Sequence, residues 1–279
     1  MYMDRKTFRT IAEIAINAGK AILKVYTSED FGIEIKKDSS PLTLADSHSH
    51  ETIVKGLSQL KIEGELLPLI SEEGKEPPYN ERKNWKRYWL IDPLDGTKEF
   101  IKKNGEFTVN IALIEEGVPI AGFVYIPVSN TLYCGCNNLG SFKLVEASKN
   151  IGSSVFAPAK RLQVHKYITD TVKVVASRSH VTPETENFIL KLKKPFKNIS
   201  LVSSGSSIKL CMIADNTAHI YPRFAPTMEW DTAAAHAVCR YAGATVLDYE
   251  TKKEMKYNKK TLLNNWFLVY GSKQFEELT

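Results

Sequence analysis

Apolar residues recur at spacings of three and four along the first part of the chain, at Phe8, Ile11, Ile14, Ala15, Ala18, Ile22 and Val25. That single stripe predicts an amphipathic helix packed on its own core. The opposite face lacks the Lys/Arg richness of a helix that lies on a membrane. Ser47 to Leu60 predicts a second helix, and Leu66 to Ile70 a short strand leading into Ser71-Glu72-Glu73. Tyr88-Trp89-Leu90-Ile91 is a continuous apolar run that reads as a buried strand, and it stops abruptly at Asp92-Pro93-Leu94-Asp95-Gly96-Thr97. Thr108 to Ile114 and Ile120 to Tyr125 flank the turn Glu115-Glu116-Gly117, which predicts an antiparallel hairpin. Leu132 to Gly135 and Ser141 to Val145 continue that pattern.

Residues 146–160 are rich in Ser, Ala, Lys and Gly and carry the best boundary signal in the chain. Beyond them strands alternate with helices. Strands are predicted at Val172 to Ala176, Ile199 to Val202, Ala218 to Tyr221, Thr245 to Leu247 and Trp266 to Tyr270. Helices are predicted over 207–214 and 230–242, the second closed by Gly243. Thr182-Pro183-Glu184 supplies an N-cap, a proline at the first helical position and an acid in the first turn. The pattern predicts an α/β chain: an α+β half over residues 1–160 followed by an α/β half over residues 161–279. Internal repeats and low-complexity tracts are absent.

Composition narrows the function. The chain has 279 residues, 43% hydrophobic and 25% charged, as expected of an ordinary globular protein. A net charge of +5 suits anionic ligands and falls short of a nucleic-acid footprint. Cys134 and Cys136 are too close for a standard zinc site, and Cys211 and Cys239 sit among apolar residues. All four read as reduced thiols in a reducing compartment. The N-terminal stretch with Asp4, Arg5 and Lys6 has no signal-peptide core, and no stretch reaches the ~20 apolar residues of a membrane span.

The candidate chemistry lies in carboxylates at the ends of elements: Glu72 and Glu73 after one strand, Asp92 and Asp95 after another, and Asp231 at a helix start. Taken singly, each has a plain structural reading. Asp-Pro-Leu-Asp-Gly is a good turn, Glu-Glu is solvated surface, and Asp231 complements a helix dipole. Together with Asp46 and Thr97 they supply the oxygen ligands that hard divalent cations require. Gly96 and Thr97 open a helix whose amides can receive a phosphate.

Ser71-Glu72-Glu73, Asp92-Pro93-Leu94-Asp95-Gly96-Thr97 and Trp230-Asp231-Thr232-Ala233-Ala234 resemble the three signatures of the inositol monophosphatase superfamily. The extension from Asp95 through Lys98-Glu99-Phe100 to Phe107 resembles that superfamily's bacterial 3′(2′),5′-bisphosphate nucleotidases. So do Gly205-Ser206-Ser207-Ile208-Lys209 and Tyr221-Pro222-Arg223-Phe224. The likeness runs over nearly the whole chain and implies a layered αβαβα sandwich. It also implies that Glu72, Asp92, the Leu94 carbonyl and the Thr97 hydroxyl hold one Mg²⁺, and that Asp92, Asp95 and Asp231 hold a second. Glu73 is matched to the residue that helps retain a third, loosely held ion. Asp46 and Thr97 are matched to the catalytic pair that orients and deprotonates water. Gly96, Thr97, His180, Ser206, Ser207, Lys209, Arg223 and Asp231 are matched to substrate contacts.

The function so implied is a Mg²⁺-dependent phosphatase that recycles adenosine 3′,5′-bisphosphate, the by-product of sulfate activation, by converting it to AMP and phosphate. The same resemblance implies lithium sensitivity, a cytoplasmic location and, in some members, association with the inner face of the membrane. The other readings are an inositol monophosphatase or sugar-phosphate phosphatase, a non-catalytic nucleotide sensor, and a short-oligonucleotide exonuclease. Lys209, Arg223 and the serines before them favour the nucleotidase, because a second phosphate needs its own cationic partners.

Overall fold

The structure is a computed structural model that describes residues 2–28, 31–32, 34–35, 41–152, 155–157, 160–168, 171–176 and 182–278. The apolar stripe forms α1 (Arg5–Tyr26), whose first turn is capped by the Asp4 carboxylate accepting from the Lys6 and Thr7 amides. A two-stranded piece, β1 (Glu34–Ile35) with β2 (Pro41–Leu42), precedes α2 (Leu44–Leu57). This helix begins three residues earlier than the pattern predicts. Thr43 and Asp46 form a reciprocal capping box there, so Asp46 lies inside the first helical turn. Next come β3 (Leu69–Ser71), the short α3 (Tyr79–Arg82), β4 (Arg87–Asp95) and the short α4 (Thr97–Ile101). A run of antiparallel strands follows: β5 (Thr108–Glu115), β6 (Val118–Ile126), β7 (Thr131–Cys136) and β8 (Gly140–Leu144). After α5 (Ala147–Asn150) the chain reaches β9 (Arg161–Leu162), which pairs with β8. The first sheet therefore has seven strands in the order β3 to β9, parallel only between β3 and β4, and it extends just past residue 160.

The remainder builds a second sheet from β10 (Thr171–Val175), α6 (Pro183–Leu192), β11 (Asn198–Val202), α7 (Ile208–Ala214), β12 (Ile220–Arg223), α8 (Glu229–Ala242), β13 (Thr245–Asp248), β14 (Lys253–Glu254) and β15 (Phe267–Tyr270). Its six strands run β11-β10-β12-β15-β13-β14, parallel through β11, β10 and β12 and antiparallel beyond. Side-chain alternation shows the layering. In β4, Trp89 and Ile91 join the core shared with α1 and α2, while Tyr88 and Leu90 join the core shared with α7 and α8. In β15, Phe267 and Val269 face that same middle layer, and Leu268 and Tyr270 face a third core with Phe188 of α6. The inner strands are covered on both faces, which is why β4, β5 and β15 read as near-continuous apolar runs. The stack is α1 and α2, first sheet, α7 and α8, second sheet, α6: the αβαβα arrangement expected above.

Helix α8 sits unusually close to the first sheet. A Cβ at Gly122 of β6 would lie 2.1 Å from the Ala234 carbonyl oxygen, and one at Gly135 of β7 would lie 2.7 Å from that of Ala237. Facing glycines and a run of alanines remove the side-chain volume that would otherwise hold helix and sheet apart. We expect Gly122→Ala to destabilise the protein by about 2 kcal/mol or more, because backbone must move on one side. Urea denaturation measures this, and a loss below about 0.5 kcal/mol would show that the layers slide freely.

Candidate active site

Asp92 and Asp95 are three residues apart, so a regular strand would send their side chains to opposite faces. The strand is not regular there. Asp92 pairs with Asn110 and Asp95 pairs with Thr108, so three steps on β4 match two on β5. That extra residue is a β-bulge, and it turns both carboxylates to one face. The bulge is fixed from within and from behind. The Leu94 amide donates to Asp92 Oδ1 at 3.0 Å, and Ser49 of α2 donates to the Pro93 carbonyl at 2.6 Å. Gly96 then takes φ +94, a left-handed conformation that frees the chain to turn into α4.

Thr97, the first residue of α4, donates its hydroxyl to Asp46 Oδ1 at 3.2 Å, with the Leu94 carbonyl oxygen at 3.4 Å. Asp46 is buried, and its other oxygen accepts the Thr43 amide at 2.8 Å and the Thr43 hydroxyl at 2.6 Å. The capping box that starts α2 therefore also holds Asp46 against Thr97.

Glu72 is brought in by β3, its amide bonded to the Ile91 carbonyl at 3.2 Å. Asp231 arrives on the first turn of α8, where its Oδ2 accepts the Met228 amide at 2.9 Å. One ligand oxygen from each of Glu72, Asp92 and Asp231 lies within 4.8 Å of the others. Asp95 is close enough to act on both aspartates of that group, and its Oδ2 accepts the Ser207 amide at 2.6 Å.

The donor set fits divalent cations. Asp92 Oδ2 is fully buried and has no hydrogen-bond partner among the described residues. Burial, then Glu72, Asp95 and Asp231, hold the Asp92 carboxyl well above the usual range. Burial chiefly pushes Asp231 up to about 8, with Asp95 adding to it. Burial likewise raises Asp95 to about 6, against the opposing pull of the Lys209 ammonium. Such a group of acids is at rest only with protons or cations on it. The linkage has a definite sign. These folded-state values lie above the unfolded value near 4, so the contribution of this acidic group to the stability of the metal-free protein is greatest below that value and is lost as the pH rises through 6 and 8. We expect the melting temperature in EDTA to fall between pH 5 and pH 8, and millimolar Mg²⁺ to restore most of it at pH 8. Melting curves that rise with pH in EDTA would contradict the assignment.

Across from the carboxylates lies the other wall of a cavity of about 580 Å³. Ser206, Ser207, Lys209 and Arg223 all line it. The Lys209 ammonium reaches the Ser204 carbonyl at 3.4 Å, and burial draws it down to about 8 despite nearby Asp95. Arg223 donates from Nη2 to the Pro226 carbonyl at 3.1 Å, while its Nε is buried without a partner among the described residues. Ser206 Oγ is in the same condition. The Ser207 side chain is committed elsewhere, to Asn110 Oδ1 at 2.9 Å and to the Thr108 hydroxyl at 2.8 Å. Of the substrate-contact set, Ser207 thus presents structure rather than a free hydroxyl. Glu73, half-buried in the turn behind Glu72, does not line the cavity. His180 lies outside the described residues.

Some participants escape a reading of motifs. Thr108 and Asn110 pair with the two aspartates and bind Ser207. Their trace in the sequence is two polar residues, two apart, in a strand that is otherwise apolar up to Glu115. Glu106 lines the cavity and accepts the Gly205 amide at 2.8 Å. It lies in the Asp95 to Phe107 run that carries the family likeness, but nothing in that run assigns it a role.

Two covered sheets, three helical layers and an acidic cluster at a strand bulge define a phosphatase-like α/β sandwich, and comparisons with known proteins agree. The chain belongs to the inositol monophosphatase family, which it matches over residues 4–278. It is 41% identical to the 3′(2′),5′-bisphosphate nucleotidase CysQ of Escherichia coli K12 over 93% of this chain and 97% of that one. With the 3′(2′),5′-bisphosphate nucleotidase CysQ of Haemophilus influenzae it shares 30% identity over 94% and 92% of the two chains. The crystal structure of CysQ from Bacteroides thetaiotaomicron superposes with a TM-score of 0.82 at 43% identity, covering 97% of this chain and 98% of that one. An inositol monophosphatase from Thermotoga maritima shares the fold at a TM-score of 0.73 and 19% identity, over 99% of this chain and 95% of that one. No helix among the described residues is long and apolar enough to cross a membrane.

Proposed function

We propose that this chain is a 3′(2′),5′-bisphosphate nucleotidase that removes the 3′-phosphate of adenosine 3′,5′-bisphosphate with the help of Mg²⁺. One observation carries the reading beyond family membership. Three buried polar atoms without partners among the described residues, Asp92 Oδ2, Ser206 Oγ and Arg223 Nε, line the same cavity. The first is suited to a cation and the other two to an anion, at separate walls. A substrate with two phosphates has a use for both.

In this reading residues 1–160 supply most metal ligands, and residues 161–279 supply Asp231 and the second-phosphate contacts. Glu72, Asp92, Asp95, Asp231 and the Leu94 carbonyl would hold two Mg²⁺, with Glu73 helping to retain a third. When bound, Mg²⁺ neutralises the phosphate dianion, acidifies water and steadies the leaving oxygen.

The chain's own residues place the reactants. The Thr97 hydroxyl gives its proton to the Asp46 hydrogen bond, so its oxygen remains as an acceptor for a water in the cavity. Asp46 is positioned to take the proton passed along that pair. The Gly96 and Thr97 amides face the transferred phosphate, and no covalent intermediate is needed. Lys209 and Arg223 receive the other phosphate, the guanidinium by its fork geometry. His180, expected near the base from its position after a strand in the sequence, would complete the proposed substrate set.

Steady-state kinetics on adenosine 3′,5′-bisphosphate and on inositol 1-phosphate, each with and without Mg²⁺, test the proposal. We expect kcat/KM for the nucleotide to exceed that for inositol 1-phosphate by about a hundredfold or more, and both rates to vanish in EDTA. Equal rates on both substrates would favour the inositol phosphatase reading. Tight nucleotide binding without turnover would favour a sensor.

A further inference from the structure

The loop Ser203 to Ser207 joins β11 to α7 and carries one wall of the cavity. It leaves the second sheet and reaches across to the first, where it is pinned at two backbone amides. Ser207 N–H donates to Asp95 Oδ2 at 2.6 Å, and Gly205 N–H donates to Glu106 Oε2 at 2.8 Å. Between these pins Ser206 is held at φ +44, a left-handed conformation that a serine seldom adopts unless its neighbours impose it. Its Oγ is the buried, unpartnered atom noted above.

Glu106 is built for this contact. Its own amide donates to Asn104 Oδ1 at 2.9 Å, which fixes the turn before β5. The approach is tight enough that a Cβ on residue 205 would lie 2.5 Å from the Glu106 carbonyl oxygen. Glu106 also contributes, with Asp95 and Glu99, to keeping the Lys209 ammonium charged. Lys209 is the second residue of α7, two residues past the loop. A single carboxylate thus pins the amide next to the strained serine.

We propose that Glu106 is a positioning residue that holds the 203–207 loop in its substrate-ready form and so selects for the second phosphate. The proposal rests on the bisphosphate reading above. Asp95 holds the loop from the metal side and Glu106 from the substrate side. Removing the Glu106 carboxylate leaves the Glu72, Asp92, Asp95 and Asp231 cluster in place and releases the Gly205 pin beside Ser206. Its loss therefore weakens capture of a bisphosphate without slowing the step at the other phosphate.

The test uses Glu106→Ala, Glu106→Gln and Gly205→Ala in the full chain with Mg²⁺. For Glu106→Ala we expect KM for adenosine 3′,5′-bisphosphate to rise about tenfold, with kcat within about twofold. KM for an adenosine monophosphate that lacks the second phosphate should stay within about twofold of wild type. Amide hydrogen exchange over 203–207 should quicken about tenfold while α1 and β5 remain protected. Glu106→Gln keeps an acceptor for the Gly205 amide and should recover most of both effects. Gly205→Ala displaces the same contact from the other side and should reproduce Glu106→Ala, which serves if that variant does not fold.

Unchanged exchange over 203–207 in Glu106→Ala would overturn the clasp. So would a parallel rise in KM for both substrates, or a Gln variant as impaired as the Ala variant. If the wild-type protein fails to hydrolyse the bisphosphate, the functional reading falls, and the exchange experiment still decides whether Glu106 holds the loop.

Discussion

Replacing Asp92 by Asn leaves a folded protein whose Mg²⁺-dependent turnover is lower on the order of a thousandfold. The size follows from position. Asp92 is the buried member of the three converging carboxylates, and its Oδ2 has no other partner among the described residues. Asparagine keeps the shape and can still accept the Leu94 amide through its carbonyl oxygen, so the bulge survives. What disappears is one negative charge at the centre of the site. A bound cation contributes several kcal/mol of charge stabilisation, and about 1.4 kcal/mol is a factor of ten in rate. The same substitution should raise the melting temperature in EDTA at pH 8, because it removes the repulsion between Asp92 and its neighbours Glu72, Asp95 and Asp231. Lower activity with higher metal-free stability is a signature that simple structural damage does not produce. Wild-type turnover in the Asn variant would refute the metal assignment.

Arg223→Ala should lower kcat/KM for adenosine 3′,5′-bisphosphate about a hundredfold and that for an adenosine monophosphate less than about threefold. Arg223 ends β12, where pairing with Phe267 of β15 fixes the backbone and the side chain enters the cavity wall. Its contact with the Pro226 carbonyl uses one Nη2 donor and leaves Nε buried and unsatisfied among the described residues. A phosphate meeting those free donors forms charge-assisted hydrogen bonds together worth about 2–3 kcal/mol. A substrate without that phosphate has nothing to lose when the guanidinium goes. Parallel kinetics on the two substrates check this, and equal losses would place Arg223 in general support of the wall instead.

Much of the architecture could be read locally. The three-and-four spacing from Phe8 to Val25 became α1, Thr182 caps α6, and Gly243 at φ +91 closes α8. These features depend on residues within a turn or two of one another, so a linear pattern contains them. Boundaries slipped where the local signal was shared between roles. Asp46 reads as a polar residue ahead of a helix, yet it is part of the cap that starts α2 and also the partner of Thr97. Ala218 to Tyr221 was displaced to Ile220–Arg223, which puts Arg223 within the strand instead of in the turn after it. Thr108 and Asn110 carry no motif, and Glu106 stood in a recognised run without a role, because their importance comes from what lies across the sheet or on the next layer.

The identity of the chemical groups was settled by the chain itself: acids beside a proline, a glycine and a threonine at an apolar strand's end, and an Asp at the start of an alanine-rich helix. Covalent composition and short-range periodicity determine what can ligate and which stretches coil or extend. Which oxygens meet was decided only in three dimensions. The one-residue bulge at Pro93–Leu94 turned Asp92 and Asp95 to a common face, and the bare backbones of Gly122 and Gly135 let α8 come near enough to deliver Asp231. Register and interlayer distance are set by close packing among segments remote in sequence, and no local pattern encodes the sum of those contacts.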